Sequence, residues 1–152
     1  MSYPWIWLAA IVCLVGCSGT NQPRPLSKTA TLELYVVAAM PTTKTKQTID
    51  PATGAPLYLM MPAIISAADV ATIQRSDDSQ STSSLAVNLT PAGAKKLAVA
   101  TAAPAGMRIA FVVNGRVVST PKLQTQISNA FVITGNDDLQ SREHIYAALT
   151  RE

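Results

Sequence analysis

From residue 31 the chain reads TLELYVV, in which Leu32, Leu34 and Val36 alternate with Glu33 and Tyr35. A period of two marks a strand with one face toward a core, so residues 31–37 predict a β-strand. Residues 40–56 hold three prolines, one glycine and no apolar period, and predict a long loop. LYLMM at 57–61 predicts a second short strand ended by Pro62. ISAADVATIQRSD then predicts a helical turn capped at Ser66 that runs into a strand, and residues 77–84 predict a polar loop.

The second half is patterned more sharply. Leu85, Val87 and Leu89 alternate as a strand over 84–89. Thr90 follows as an N-cap, with Pro91 at the first helical position where its missing N–H costs nothing. Ala94, Leu97, Ala98 and Thr101 then fall on one side of a helix over 90–101. Residues 107–120 are two β-branched runs joined by Asn114-Gly115, the signature of a type I′ hairpin. AFVITG at 130–135 predicts a strand. Residues 136–150 predict a last helix, capped by Asn136 or Asp137, with Leu139, Tyr146 and Leu149 on one side. This order predicts an α+β fold: a mainly antiparallel sheet with two main helices packed on one face.

The N-terminus follows a different pattern. From Trp5 to Val15 the apolar run is only 11 residues long, whereas a spanning helix needs about 20. It ends in Leu14-Val15-Gly16-Cys17, with Ser18-Gly19-Thr20 after it. This resembles a bacterial lipobox, in which small residues admit a peptidase that cuts before a lipidated cysteine. Residues 1–16 are therefore expected to be a lipoprotein signal peptide, 17–29 a flexible tether from lipidated Cys17, and 30–152 the folded domain. The leader departs from the usual pattern in carrying no Lys or Arg before the apolar run. Because Ser18 is not aspartate, similarity to sorting in enteric bacteria implies the periplasmic face of the outer membrane, with the inner or plasma membrane as the alternative.

That reading disposes of both cysteines. Cys13 lies in the discarded segment and Cys17 carries lipid, so no thiol is left for a disulfide, a thiolate metal site or a nucleophile. All 12 basic and 9 acidic residues follow Cys17, which keeps the net charge at +3. The basic residues are scattered without aromatic interleaving, which argues against a nucleic-acid partner. His144 is the sole histidine, and a lone helical histidine is more often a surface residue than a catalyst. Asp137 and Asp138 are accounted for by the start of their helix. Asp77 and Asp78 have no third ligand group nearby in sequence. No nucleophile elbow and no phosphate loop occurs, and Asn88-Leu89-Thr90, followed by Pro91, matches a glycosylation sequon by chance. No catalytic residue, cofactor or metal ligand is expected.

Residues 87–139 also carry a resemblance. VNLTPAGAKKLAVAT, then RIAFVVNGRVVSTP, then ITGNDDL are similar to the head subdomain of the first periplasmic domain of SecD, an accessory subunit of the bacterial preprotein translocase. The matching positions include Thr90, Gly93, Ala94, Lys96, Ala110, Val112, Gly115, Val117, Ser119, Pro121 and Gly135. PAIISAADV is similar as well, so the resemblance spans about 57–149, and more weakly 31–37. It implies a SecD-head-like fold. Thr90 caps, Gly115 allows positive φ, Pro121 ends an edge strand and Gly135 turns into the last helix. SecD's membrane helices and the aspartate–arginine–glycine-glycine stretch of its base subdomain have no counterpart here, so proton-driven pulling is not implied. What the resemblance implies is a non-catalytic binding module for unfolded or translocating polypeptide, with sheet edges that accept a strand. A structural envelope lipoprotein with one fixed protein partner is the alternative, and a hydrolase built on convergent Ser, Asp and His144 comes third. The oligomeric state is not legible.

Overall fold

The computed structural model describes residues 22–77, 83–103, 106–133 and 139–150. Cys13, Cys17, Asp78, Gly135, Asn136, Asp137 and Asp138 lie outside these residues, as does the side chain of Asp77.

The chain folds as α+β, and every described strand pairs antiparallel. Strands β1 (Leu32–Ala38), β2 (Thr45–Ile49) and β3 (Pro56–Met60) come first. A 3-10 turn, Ala67–Asp69, leads into β4 (Val70–Asp77) and β5 (Ser83–Leu89). Helix α1 (Pro91–Ala100) is followed by the hairpin β6 (Ile109–Val113) and β7 (Arg116–Ser119), then β8 (Ala130–Ile133) and helix α2 (Leu139–Thr150).

The expected single sheet is instead two: a five-stranded sheet in the order β2-β3-β1-β6-β7 and a three-stranded sheet in the order β4-β5-β8. Their inner faces share one core. Leu32, Leu34, Ile109, Phe111 and Val113 from the larger sheet meet Ile73, Leu85, Val87, Phe131 and Ile133 from the smaller. Both helices close this core, α1 through Leu97 and α2 through Tyr146 and Leu149. The larger sheet is buried on its second face as well. There Tyr35, Ala110 and Val112 pack with Leu57 and Leu59 of β3. Tyr35 is therefore inside, where a simple in–out alternation places it outside. The reason is β6, a continuous apolar run buried at all five positions, which needs cover on both faces.

The long loop expected over 40–56 contains β2. Its register against β3 runs from Thr45↔Met60 to Ile49↔Pro56. An edge strand is held by backbone hydrogen bonds to one neighbour, so it needs no apolar face of its own and leaves no period in the sequence. Residues 24–27, which the sequence reading places in a flexible tether over 17–29, are joined to the domain. Arg24 and Ile73 exchange backbone hydrogen bonds of 2.8 and 2.7 Å, Ser27 N–H donates to the Leu149 carbonyl at 2.7 Å, and Leu26 packs on the core.

Local signals otherwise act as their chemistry dictates. Thr90 is the N-cap of α1, its hydroxyl accepting from Gly93 N–H at 3.2 Å, and Pro91 opens the helix. Asn114 and Gly115 have φ of 48° and 78°, as a type I′ turn requires. The Asn114 carboxamide oxygen further accepts from Thr31 N–H at 2.8 Å, which ties the turn to the start of β1. Ser66 does open the 3-10 turn, but the capping runs in reverse: the Asp69 carboxylate accepts from the Ser66 N–H at 3.0 Å and hydroxyl at 3.1 Å.

Candidate functional site

Among the described residues β7 is the last strand of the larger sheet, and no described strand pairs with its other edge. Val113 and Arg116 close a two-residue turn and bond to each other across it. The next pair, Val112↔Val117, belongs to the alternate class whose backbone groups point away from each other, so Val117 directs its N–H and C=O to the free edge. An irregularity between Phe111 and Val112 shifts the register beyond that point. The strand is short, four residues or about 13 Å at 3.3 Å per residue.

Helix α2 runs beside this edge. Tyr146 and Leu149 turn into the core and Ile145 packs against it. His144 and Ala148, four apart, lie on the neighbouring strip of the helix. Between helix and strand lies a groove of about 620 Å³. Val113, Val117 and Val118 line it from the sheet, Ile145 and Ala148 from the helix, and Asn114, Arg116 and His144 supply its polar rim. This volume falls in the range of ligand-holding clefts. An apolar trough beside unpaired backbone groups can take an extended peptide as an added strand, with main-chain hydrogen bonds for affinity and side-chain contacts for selection.

α2 is held in place by a contact that sequence patterning does not show. Arg75 on β4 pairs with Glu143 at 2.5 Å, and its guanidinium carbon sits 4.3 Å from the centre of the Tyr146 ring. Both charged groups are half exposed, so the ion pair itself contributes little. It does commit Glu143, the acid beside His144, to another partner. His144 is exposed on α2 and touches two cavities, this groove and a second of about 420 Å³ that Arg24, Arg75 and Thr150 also line. Among the described residues no three His, Cys, Asp or Glu side chains could hold a metal ion together.

Two buried carboxylates, neither of them singled out by the sequence, clamp the ends of the sheet and of α1. Asp50, just after β2, accepts from Arg108 at 2.6 Å, from Thr120 at 3.3 Å and from the Ala52 N–H at 3.0 Å. Burial alone would raise its carboxyl, but these hydrogen bonds and the Arg108 charge outweigh it and hold it below the usual aspartate range. Asp69 accepts from Lys96 at 2.7 Å in addition to Ser66. Burial again opposes, and the Lys96 and Ser66 hydrogen bonds with the Lys96 charge again prevail, lowering its carboxyl. Their partners lie 58 and 27 residues away in sequence, which is why no local motif announces them.

The model of the SecDF P1 head subdomain family matches residues 42–151. The match begins earlier than the resemblance read from the sequence, taking in β2, and leaves β1 outside. Among solved structures, SecDF described as a membrane component that enhances protein export is similar with a TM-score of 0.58 and 22% identity, covering 78% of this chain and 61% of that one. SecDF in a super-membrane-facing form is similar with a TM-score of 0.59 and 23% identity over 78% of this chain and 18% of that one. SecDF from Thermus thermophilus, described as a translocon-associated membrane protein, is similar with a TM-score of 0.53 and 22% identity, over 76% and 18%. The chain thus spans about three-fifths of the first of these and under a fifth of the others, and at this identity the likeness is one of fold. No curated protein matches the chain.

Proposed function

Because this chain belongs to the SecDF P1 head subdomain family, we propose that it is a non-catalytic binding module of the cell envelope that holds extended or translocating polypeptide, anchored in the membrane by lipid on Cys17. The observation that carries the reading is the groove between α2 and β7. It presents the outward N–H and C=O of Val117 beside an apolar lining of Val113, Val118, Ile145 and Ala148. Sequence-tolerant binding of unfolded chain requires that combination, since main-chain hydrogen bonds are common to every peptide. The fold relatives are named for protein export and association with the translocon, and that kinship favours polypeptide over other extended ligands.

The anchor reading rests on residues outside the described part. Among the described residues no helix is long and apolar enough to cross a membrane, and the lipobox-like Leu14-Val15-Gly16-Cys17 supplies an alternative attachment. Metabolic labelling with a fatty-acid probe tests it: Cys17→Ser should abolish the label, and persistence of the label refutes the assignment.

The groove is tested by placing a photoreactive residue at position 148 of the full chain and offering a permanently unfolded polypeptide. Adducts should form at 148, well above those from the exposed position 124. Val117→Pro should suppress them, because it removes the outward N–H while leaving β7 paired to β6, a substitution that edge strands tolerate. Lys95→Ala, on the exposed side of α1 and outside the groove lining, should leave them intact. Equal labelling at 148 and 124, or adducts indifferent to Val117→Pro in a folded protein, would refute the strand-addition site.

A further inference from the structure

Among the described strands β4 is the last of the smaller sheet, and the N-terminal segment lies along its outer side. Arg24 and Ile73 exchange backbone hydrogen bonds there, and residues paired in this way send their side chains to one face. Arg75 lies two positions beyond Ile73 and shares that face. Two guanidiniums distant in sequence are thereby set on the same side of the smaller sheet, against which α2 packs. Between them and the helix lies the cavity of about 420 Å³, whose other lining residues include Glu143, His144, Tyr146 and Thr150.

The charges in this cavity do not cancel. Glu143 is the sole acid among the lining residues, and it is already engaged by Arg75 through Nη2. The exposed Arg24 side chain has no ion-pair or hydrogen-bond partner among the described residues. Arg75 Nε is a buried donor that also lacks a partner among them, so hydrogen-bonding capacity is left over on both guanidiniums. Arg75 is fixed in advance, with its guanidinium carbon 4.3 Å from the centre of the Tyr146 ring. A cation held in place this way loses little freedom when an anion arrives.

We propose that this cavity binds a phosphate group, held between the guanidiniums of Arg24 and Arg75. A carboxylate offers two coplanar oxygens, which a single guanidinium satisfies. A phosphate spreads its oxygens over a tetrahedron, so guanidiniums that approach from two separate segments can share it. The same chemistry serves a phosphate in solution and a phosphate in a lipid headgroup, and the two sources are separated by experiment. The site requires neither the β7 groove nor lipid on Cys17.

The test uses the full-length chain, with isotope-labelled histidine, in a neutral maltoside detergent. His144 is the sole histidine and lines the cavity, so its ring signals in the NMR spectrum report on the site without ambiguity. At constant pH and ionic strength, inorganic phosphate should move these signals saturably, and acetate should not. Arg24→Gln, which keeps the backbone pairing of residue 24, should weaken the apparent affinity about tenfold or more, and so should Arg75→Gln. Lys46→Gln removes one positive charge from the exposed side of β2 and should leave the affinity unchanged. A second arm offers glycerophosphoglycerol, the deacylated headgroup of phosphatidylglycerol. Saturation by this diester identifies a lipid headgroup as the source, and saturation by inorganic phosphate alone a soluble phosphate; either upholds the site. No saturable movement with either compound, equal movement with acetate, or an affinity indifferent to Arg24→Gln in a folded protein would overturn the proposal.

Discussion

Replacing Gly93 with alanine sets two opposed effects against each other inside α1. A glycine in a helix interior costs about 0.8–1.0 kcal/mol relative to alanine, so propensity alone favours the substitution. The tertiary contact opposes it. A Cβ at position 93 would lie 2.6 Å from the Asp69 carbonyl oxygen and 2.8 Å from the Asp69 Cβ. That is about 0.9 Å inside the ~3.5 Å of unstrained contact. The 3-10 turn is poorly placed to retreat. Asp69 is bonded through its carbonyl to Thr90 N–H at 2.9 Å, and through its carboxylate to Lys96 and twice to Ser66. Overpacking of this kind costs about 1–3 kcal/mol, and stretching one of those hydrogen bonds about 1 more. The expected net effect of Gly93→Ala is therefore a loss of about 1–3 kcal/mol, read as a lower guanidinium midpoint by circular dichroism of the full chain. The exposed neighbour Lys95 supplies the calibration. There alanine should exceed glycine by about 1 kcal/mol in the same helix, the opposite sign. A midpoint for Gly93→Ala equal to or above that of the unsubstituted protein would refute the close-approach argument.

Other outcomes follow from the same contacts. Gly115→Val should cost on the order of 1–2 kcal/mol or more; no atom lies within 4 Å of a Cβ there, so the whole effect is backbone strain at φ +78°, and an unchanged unfolding midpoint would contradict it. Asp50 and Asp69 are held below their ordinary carboxyl range, so the stability they contribute is present above about pH 4 and is lost as pH falls through their lower folded values. Asp50→Asn with Asp69→Asn should accordingly flatten the decline in stability on acidification below pH 4, modestly because Lys96 is half exposed, and parallel curves would refute the assignment. His144→Ala should change stability by no more than about 0.5 kcal/mol and should complement a deletion strain; a folded, correctly localised variant that fails to complement would revive the hydrolase reading.

Where a signal is carried by neighbouring residues, the sequence suffices. Thr90-Pro91 starts a helix because a hydroxyl and a missing N–H act within one turn. Asn114-Gly115 makes a hairpin because φ above zero is cheap for those two residue types. The alternation over 84–89 buries Leu85, Val87 and Leu89 because a strand's pleat has period two. These local facts, in order, are enough for an α+β chain, and the residues that carry them are also those that resemble the SecD head. Features created by distant segments were not legible. β2 left no trace because an edge strand is held by backbone bonds, to which side-chain patterns are blind. The division into two sheets depends on which faces β6, buried on both, recruits as cover. Gly93 reads as an unremarkable helical glycine until Asp69, 24 positions earlier, is set against it. The candidate groove likewise belongs to neither partner alone: β7 contributes an unpaired edge and α2 an apolar strip, and only the fold lays one beside the other. Hydrophobic period and turn chemistry act over a few residues, whereas close approach, charge pairing and concavity arise when chain segments far apart in sequence are brought to atomic contact.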